Sequence, residues 1–392
     1  GVDWSTMRRQ ARELFEELDV SIDVTAAVRG LSLADQQLIE IAKALAIKAR
    51  VLVMDEPTAS LSPHEVTRLF SIARQTRDNG VAVMFVSHRL DEVFDLCDEA
   101  TVLRDGKHVI TTPTAELTTD DLVRYMVGRD VSLFPRIEDH AGDVLLKVEG
   151  LTRSGVFEDV TFDVHAGEIV GFAGLVGAGR TEIARVLFGV DRPDSGSISL
   201  RGEAVQFADP SAALAAGMAY VSEDRHGQGL VLDFSITSNI TLPILARLFP
   251  KLFVRRAFER RFADSAAQQL DVRMTSVDQP VDALSGGNQQ KVVLSKWLAT
   301  DPVVLILDEP TRGIDIGSKA EVHRIISELA ATGLGIILIS SDLPEILAMS
   351  DAILVLHEGK VTGRFDRQEA DEETVMFAAT GQTAGEGGET DD

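Results

Sequence analysis

Two pairs of adjacent carboxylates are the residues of this sequence best suited to chemistry. Asp55-Glu56 follows the apolar run Val51–Met54, and Asp308-Glu309 follows the apolar run Val303–Leu307. At the end of a strand, the first carboxylate of such a pair can hold a metal ion through water, and the second can polarise an attacking water. A single Asp-Glu-Pro turn is more simply a solvated strand end, but two copies in matched contexts favour a catalytic site.

The carboxylate pairs belong to an internal repeat with a constant offset. The differences 284 − 31, 308 − 55 and 341 − 88 all equal 253. A gapless repeat of this length predicts two copies of a whole domain, not a solenoid of short units. Each copy combines a serine-led polar turn with an apolar run that ends in two carboxylates, a combination that indicates nucleotide hydrolysis.

A glycine-rich turn lies between a predicted strand, Glu168–Ala173, and a predicted helix, Glu182–Leu187. This context is typical of a P-loop, in which glycines let backbone N–H groups face phosphate at a helix N-terminus. The candidate nucleotide-binding residues are Gly174, Gly177, Ala178, Gly179, Arg180, Thr181 and Glu182. Thr181 would also place its hydroxyl on Mg²⁺. Arg180 stands where the pattern has lysine, and a plain strand–helix turn is the alternative interpretation.

Charge and cysteine content exclude several classes of function. A net charge of −24 argues against nucleic-acid binding and against docking on anionic lipid by charge alone. The single cysteine, Cys97, allows no internal disulfide and suits a reducing compartment. No apolar run approaches the length of about 18 residues that a membrane span needs.

The pattern of apolar residues predicts how the elements are arranged. Ser32 and Ser285 occupy positions expected for helix N-caps. The apolar runs before the carboxylates read as buried parallel strands, and each is followed by a helix and a further strand, at Val81–Val86 and Gly335–Ile339. The predicted organisation is a first domain over 1–128, a linker over 129–143, a second and complete domain over 144–380, and a disordered tail over 381–392.

The most specific motif is LSGGNQQK, which begins at Leu284. It resembles the signature of ABC-type ATPases, and the chain from Leu31 to about Gly363 fits that family. The resemblance implies α/β P-loop NTPase domains, each with a mixed sheet core and a helical subdomain, in two copies that pair head to tail. The signature residues implied to bind ATP are Ser285, Gly286, Gly287 and Asn288. The first copy, LSLADQQ, keeps Ser32 but has Asp35 and neither glycine.

His88 resembles the family's switch histidine, which contacts the γ-phosphate, whereas the second copy has Ser341 in this slot. The resemblance therefore predicts one hydrolytic and one mainly structural nucleotide site. The first combines Asp55, Glu56 and His88 with Ser285–Asn288, and the second combines Arg180, Thr181, Asp308 and Glu309 with the Ser32 turn. Asp55, Asp308 and Thr181 are the implied metal ligands, and Glu56, His88 and Glu309 the implied catalytic residues.

The spacing of the second copy also predicts an N-terminal truncation. Its P-loop lies 110 residues before its signature, because 284 − 174 = 110. The same spacing puts the first copy's P-loop before Gly1, since 31 − 110 = −79. The sequence is therefore interpreted as an N-terminally truncated ABC protein, with uncertain activity in this form.

A closer resemblance is to the fused twin-domain ATPases of bacterial sugar importers, of the ribose, galactose, xylose and autoinducer-2 type. It rests on GAGRTE at 177–182, SEDR at 222–225, the signature at 284–291 and SSDLPE at 340–345. The resemblance implies ATP and Mg²⁺ as cofactors, and a peripheral position on the cytoplasmic face of the membrane. It implies as partners a sugar permease, in two copies, and an extracytoplasmic sugar-binding protein. Glu223 takes the place of the glutamine that relays nucleotide state to the permease.

Several alternatives remain open at this stage. A non-catalytic or regulatory ABC module and a nucleoside-type importer ATPase are the main ones. A ribosome-acting twin ATPase would carry a long charged segment where 129–143 is short, and a DNA-repair ATPase would carry zinc-binding cysteines. Phe157 is a weak candidate for stacking on adenine, with a core position as the alternative.

Overall fold

The structure is a computed structural model of the 392-residue chain. It describes residues 3–17, 22–47, 49–58, 61, 63–87, 89–104, 106–127, 142–175, 177–249 and 255–381. The chain forms two compact units, Gly1–Asp130 and Val131–Asp392. Apart from residues 142, 143 and 381, the predicted linker and tail lie outside the described residues, as does His88.

The first unit alternates helices and strands. In chain order its elements are α1 (Trp4–Glu17), α2 (Leu33–Ala46), β1 (Val51–Asp55), α3 (Pro63–Asp78), β2 (Ala82–Val86), α4 (Leu90–Leu96), β3 (Glu99–Arg104), β4 (Lys107–Pro113) and α5 (Thr119–Val127). Strands β1 and β2 pair in parallel, and β3 and β4 form an antiparallel hairpin. Leu38 and Ile41 of α2 pack with Leu52 of β1 and Leu69 of α3 in one apolar core.

The second unit begins with strands. Its first elements are β5 (Val144–Arg153), β6 (Phe157–His165), β7 (Ile169–Gly174), α6 (Arg180–Leu187), β8 (Ser195–Leu200), β9 (Glu203–Val205), α7 (Pro210–Ala216) and β10 (Met218–Val221). Helices then dominate, with α8 (Ile236–Thr241), α9 (Leu245–Leu248), α10 (Arg256–Gln269) and α11 (Gly286–Leu298). The last elements are β11 (Val304–Asp308), α12 (Ile316–Ala331), β12 (Gly335–Ile339), α13 (Leu343–Met349), β13 (Ala352–His357), β14 (Lys360–Asp366) and α14 (Glu372–Ala379).

Two sheets organise the second unit. The central sheet has the order β10-β11-β12-β7-β13-β14, parallel except for the last pair, and the other sheet has the antiparallel order β6-β5-β8-β9. Alternate residues of β11 enter different cores, as the period of a strand requires. Leu305 and Leu307 pack towards the helices, whereas Val304 and Ile306 pack towards α6 and the antiparallel sheet. The carboxyl ends of β7, β11 and β12 therefore meet at one edge, beside the start of α6.

The elements of the first unit recur in the second in the same order. The first residues of β1 and β11 differ by 304 − 51 = 253, those of β2 and β12 by 335 − 82 = 253, and those of α4 and α13 by 343 − 90 = 253. The sequence repeat thus corresponds to a repeat of folded elements.

One expectation about the strands is wrong for the first unit. Both apolar runs were expected to be buried on both faces, and β11 is. In β1, Leu52 and Met54 are buried, but Val51 and Val53 are 54% and 59% exposed. The equivalent residues of β11, Val304 and Ile306, are covered by α6 and the antiparallel sheet. Within the described part of the first unit, no such layer covers this face of β1.

Candidate functional site

The glycine-rich turn joins the buried strand β7 to α6, as predicted. Gly174, Gly177 and Gly179 have φ values of +151°, +83° and +99°, which a residue with a side chain adopts only with strain. A Cβ at Gly174 would also overlap the carbonyl oxygen of Leu356. Gly179 is the N-cap of α6, so the first N–H groups of this helix have no helical acceptor. The turn is therefore a ready site for phosphate.

Arg180 is directed at the end of β12. Its side chain is buried, and Nη1 donates a hydrogen bond of 2.5 Å to the carbonyl oxygen of Ser340. Burial lowers the pKa of Arg180, while the carboxylates of Glu309 and Asp308 oppose this shift. Arginine remains charged in proteins even so. The guanidinium thus interacts electrostatically with the carboxylates of Asp308, at the end of β11, and of Glu309, the next residue.

Asp308 is fully buried, and both of its carboxylate oxygens have partners. Thr181 Oγ1 donates to Oδ1 at 3.3 Å, and Tyr220 Oη donates to Oδ2 at 2.9 Å. Burial raises the pKa of Asp308, and these two hydrogen bonds oppose the shift. The structure therefore brings Thr181 and Asp308 together, as the predicted metal site requires. Sequence analysis did not identify Tyr220, because nothing in its local sequence points to Asp308.

Glu309 has the left-handed backbone conformation, with φ +50°. Its N–H donates to the carbonyl oxygen of Ile339 at 2.8 Å, and Ser341 Oγ donates to its Oε2 at 3.0 Å. Burial raises the pKa of Glu309, while the hydrogen bond from Ser341 opposes the rise. A non-glycine residue in this conformation costs about 1–3 kcal/mol and is typical of functional sites. Sequence reasoning missed this strain.

Glu56 repeats this geometry in the first unit. Its φ is +44°, and its N–H donates to the carbonyl oxygen of Val86 at 2.9 Å. Asp55 and Glu56 are both exposed, unlike Asp308 and Glu309. The two predicted catalytic glutamates therefore share one strained backbone conformation after equivalent strands.

Behind Glu309 lies a buried polar network that sequence analysis did not find. Thr311 Oγ1 donates to Glu345 Oε1 at 2.9 Å, and His323 Nε2 lies 2.5 Å from the same oxygen. Burial raises the pKa of Glu345, but hydrogen bonds and charge from His323, with Ser340, bring it below its ordinary value. The network joins the segment after β11 to the segment after β12.

The first unit has the same arrangement at the same offset. Glu92 is buried and accepts hydrogen bonds from Thr58 at 2.7 Å and from Ser87 at 2.9 Å. These three residues precede Glu345, Thr311 and Ser340 by 253 positions each. The position of His323 is instead occupied by Phe70, since 323 − 253 = 70. A matched offset of threonine, serine and glutamate was the signal in the sequence that could have revealed this network.

The signature turn begins helix α11. Ser285 is the N-cap residue, as predicted, and its hydroxyl accepts from Asn288 Nδ2 at 2.9 Å, which leaves the hydroxyl proton available to donate. Asn288 Oδ1 in turn accepts from the backbone N–H of Arg273 at 2.7 Å. A Cβ at Gly287 would overlap the side chain of Ser318 on α12. Close helix packing therefore gives a reason for this glycine in addition to its predicted part in ATP binding.

The equivalent turn of the first unit differs in its hydrogen bonds. Ser32 caps α2, as predicted, and accepts from the N–H of Asp35 at 3.0 Å. The Ser32 hydroxyl also donates to Asp35 Oδ2 at 2.8 Å. The negatively charged Asp35, which would repel a phosphate, thus also engages the hydroxyl of Ser32.

Two other predicted residues have clear positions. Glu223 is exposed just after β10 and forms an ion pair with Arg312, which follows β11 in the chain. Phe157 is 3% exposed and belongs to the core between the two sheets. The prediction that Phe157 stacks on adenine is therefore wrong, and the core alternative is confirmed, because its ring is enclosed by apolar side chains.

Among the residues that the structure describes, no helix has both the length and the apolar character needed to cross a bilayer.

Comparison with known proteins identifies the fold. A family model described as ABC transporter matches residues 157–312. The structure of cbiO1 from Clostridium perfringens, part of the ABC transporter complex cbiONQ, is similar with a TM-score of 0.51, 22% identity and coverage of 60% of this chain and 93% of that one. MJ1267, an ATP-binding cassette of an ABC transporter, gives a TM-score of 0.51, 20% identity and coverage of 60% and 95%. The predicted ABC ATPase fold is confirmed.

Curated relatives match nearly the whole chain. The ribose import ATP-binding protein RbsA of Rhodococcus jostii is 54% identical over 384 residues, which is 98% of this chain and 76% of that protein. RbsA 2 of Streptomyces avermitilis gives the same figures. A putative ribose/galactose/methyl galactoside import ATP-binding protein of Hahella chejuensis is 47% identical over 380 residues, 96% of this chain and 74% of that protein. The chain therefore belongs to the ATP-binding proteins of ABC-type sugar importers, a family of ATPases that energise sugar uptake.

Proposed function

We propose that the second unit binds Mg²⁺·ATP at the turn between β7 and α6. The observation that carries this proposal is the pairing of Thr181 with the buried Asp308 at the start of α6. Among the described residues, no cluster of three His, Cys, Asp or Glu has the geometry of a metal site. Nucleotide-bound Mg²⁺ does not need such a cluster, because phosphates and water supply most of its ligands. When bound, Mg²⁺ would neutralise phosphate charge.

The roles of the chain's own residues follow from their positions. The backbone N–H groups at the start of α6, from Gly179 to Thr181, bind phosphate, and Thr181 and Asp308 hold the cation. Glu309 is placed to accept a hydrogen bond from an attacking water. Ser285, with the N–H groups of Gly286 and Gly287, offers donors to a phosphate held by a partner ABC domain, and Asn288 orients Ser285.

Two departures from the general ABC pattern, both shared with the sugar-importer ATPases that this chain resembles, favour a mainly structural role for the second unit's P-loop. Arg180 bonds to Ser340, and Ser341, which cannot supply a cation, bonds to Glu309. We infer that nucleotide binds at this loop more readily than it is hydrolysed there. Asp55, Glu56 and His88 belong to the proposed hydrolytic site.

The binding proposal is tested by removing one hydroxyl. Thr181→Val preserves side-chain shape, and it should weaken Mg²⁺·ATP binding about tenfold while leaving the affinity measured in EDTA unchanged. Thr332→Val, at the end of α12, is the matched control and should bind as the original chain does. Equal Mg²⁺·ATP affinities for the Thr181 variant and the original chain in calorimetric titrations would refute this metal site.

We propose ribose or a related monosaccharide as the transported solute, because three relatives that are 53–54% identical to this chain carry ribose in their names. ATP-binding proteins of importers work with a membrane permease and a substrate-binding protein. The proposed partners are a sugar permease in two copies and an extracytoplasmic sugar-binding protein, with this chain peripheral on the cytoplasmic side.

Reconstitution tests the transport proposal. The chain is captured from detergent-extracted native membranes, and its permease is incorporated into vesicles with nucleotide inside. ATP-dependent uptake of labelled ribose, with galactose and xylose as competitors, is the expected result. Capture of the chain without any multi-span protein would favour a regulatory ABC module, and uptake of nucleosides only would favour the nucleoside-importer alternative.

A further inference from the structure

Tyr220 is a buried polar side chain to which none of the roles above has been assigned. It lies on β10, next to β11 in the central sheet, with Tyr220 paired to Ile306 in the register. Its side chain is 8% exposed, and its hydroxyl donates to Asp308 Oδ2 at 2.9 Å. The phenol therefore approaches the proposed cation ligand from the neighbouring strand.

This hydrogen bond makes the two carboxylate oxygens of Asp308 inequivalent, because each has a different partner. Oδ2 accepts from Tyr220, while Oδ1 lies 3.3 Å from the hydroxyl of Thr181. A carboxylate free to rotate could present either oxygen to a cation. With Oδ2 held by Tyr220, only Oδ1 faces Thr181, the other proposed ligand of the cation.

Aromatic contacts hold the ring of Tyr220 in addition to its hydrogen bond to Asp308. The ring of Tyr220 packs against Phe188 at a centroid distance of 5.6 Å, and Phe188 packs edge-on against Trp297 at 5.7 Å. Aromatic contacts of this kind hold a ring in place independently of its hydroxyl. The hydroxyl is thus a preset donor, and replacing tyrosine by phenylalanine removes the donor while keeping the ring.

We propose that Tyr220 is a positioning residue for the cation site: it fixes Asp308 so that Oδ1 is presented, with Thr181, to the cation of the bound nucleotide. This inference rests on the proposed binding of Mg²⁺·ATP. Residues that orient metal ligands in this way contribute about 10–100-fold to metal affinity.

The test measures cation binding directly and does not depend on turnover. Mn²⁺ replaces Mg²⁺, and its binding to the full chain with saturating ATP is followed by electron paramagnetic resonance. Tyr220→Phe should raise the Mn²⁺ midpoint about tenfold and leave ATP affinity in EDTA unchanged. Tyr125→Phe, which changes the chain's only other tyrosine, should leave both values unchanged.

The outcomes separate this inference from the proposal beneath it. Absence of Mn²⁺ binding by the original chain would overturn the proposed Mg²⁺·ATP site itself. An unchanged midpoint in Tyr220→Phe, with normal binding by the original chain, would overturn the role of Tyr220 alone. A merely structural role predicts a lower melting temperature in EDTA with the same Mn²⁺ midpoint.

A second measurement keeps Tyr220 in place and therefore does not depend on the folding of Tyr220→Phe. Growth on 3-fluorotyrosine in the Tyr125→Phe background labels Tyr220 alone, because the sequence has two tyrosines. Its ¹⁹F resonance should shift when Mg²⁺ is added to the ATP-bound chain, because the Tyr220 hydroxyl is hydrogen-bonded to Asp308, a proposed ligand of the cation. A resonance that responds to ATP and not to Mg²⁺ would contradict the proposal.

Discussion

The side chains of Arg180 and Ser341 both form hydrogen bonds near the proposed catalytic carboxylates of the second unit. Arg180 donates to Ser340, and Ser341 donates to Glu309. Lysine and histidine at these positions would instead supply two compact cationic donors. Because Ser341 donates to Glu309 Oε2, changing Arg180 alone leaves this carboxylate oxygen engaged.

The first prediction concerns these two positions together. Arg180→Lys alone should leave ATP turnover nearly unchanged, whereas Arg180→Lys with Ser341→His should raise it about tenfold or more, because one preorganised donor can contribute 10²–10³ in rate. Phosphate release by the purified chain measures turnover. Adding Glu309→Gln to the double variant should abolish the gain. A full gain from Arg180→Lys alone would contradict the proposed division between the two sites.

At the scale of elements, the Glu345 network fixes the segments that follow β11 and β12. Glu345 is fully buried, and its carboxylate contacts Thr311 and His323. Removing one hydrogen-bonding partner from a buried polar group costs roughly 1–3 kcal/mol, because the other group is left unsatisfied. The network therefore links the backbone that follows Glu309 to the backbone that follows β12.

The second prediction gives this network a pH dependence. Because the pKa of Glu345 is below its ordinary value of 4.5 in the folded chain, its charge stabilises the fold above that pH, and the contribution is lost as pH falls through the folded pKa. Glu345→Gln should lower the free energy of unfolding by about 1–3 kcal/mol at neutral pH, with a smaller difference near pH 4. Urea unfolding followed by Trp297 fluorescence in a Trp4→Phe background measures the second unit.

Glu92→Gln is the matched control for this measurement. Glu92 has the equivalent threonine and serine partners, but Phe70 occupies the position of His323. Its replacement should leave the transition reported by Trp297 unchanged. A Glu345 variant whose stability deficit stays constant from neutral pH to pH 4 would contradict the role of its charge.

The close approach of α11 and α12 supplies the third prediction. A side chain at Gly287 would overlap Ser318, so Gly287→Ala should destabilise the second unit by about 1–3 kcal/mol through overpacking. Ser318→Gly should restore part of the loss in the double variant, although glycine weakens α12 by about 1 kcal/mol. The double-mutant cycle in urea isolates the contact. Additive effects of the two changes would show that the helices do not meet there.

Local sequence predicted the elements well, and it predicted the contacts between them poorly. The P-loop, the serine N-caps and the strand before Asp308 each depend on neighbouring residues, so their patterns are visible in the sequence. The hydrogen bond from Tyr220 to Asp308 joins residues 88 positions apart, and that from Thr311 to Glu345 joins residues 34 apart. Such pairs depend on the order of strands in the sheet, which periodicity does not reveal.

For a related reason, the sequence did not predict the backbone strain of Glu309 or which strand faces are covered by other elements. The left-handed conformation of Glu309 occurs together with a hydrogen bond from its N–H to Ile339 on the neighbouring strand. The exposure of Val51 and the burial of Val304 differ although both residues are valine in equivalent strands. In each case the decisive factor is a neighbouring layer of the fold, and the residue's own type carries no information about it.

At the scale of the whole molecule, charge limits how the chain can reach a membrane. The sequence has 62 acidic and 38 basic residues, which gives a net charge of −24. Attraction to anionic lipid comes from basic segments, at about 1 kcal/mol for each Lys or Arg near the surface, and a strongly acidic chain has the opposite sign. Proposed membrane association must therefore depend on a protein partner.

The fourth prediction separates lipid from protein as the source of membrane binding. The full chain should not float with protein-free vesicles that contain anionic lipid, at either low or physiological salt. It should float with vesicles that carry the co-purified permease, because apolar and hydrogen-bonded contacts between proteins do not require opposite net charges. The two salt concentrations are the control, because salt screens the attraction between exposed charges. The Debye length falls from about 30 Å at 0.01 M to about 8 Å at 0.15 M salt. Flotation with bare anionic vesicles that disappears between these salt concentrations would reveal a local basic surface strong enough to overcome the net charge, and would contradict a permease as the sole anchor.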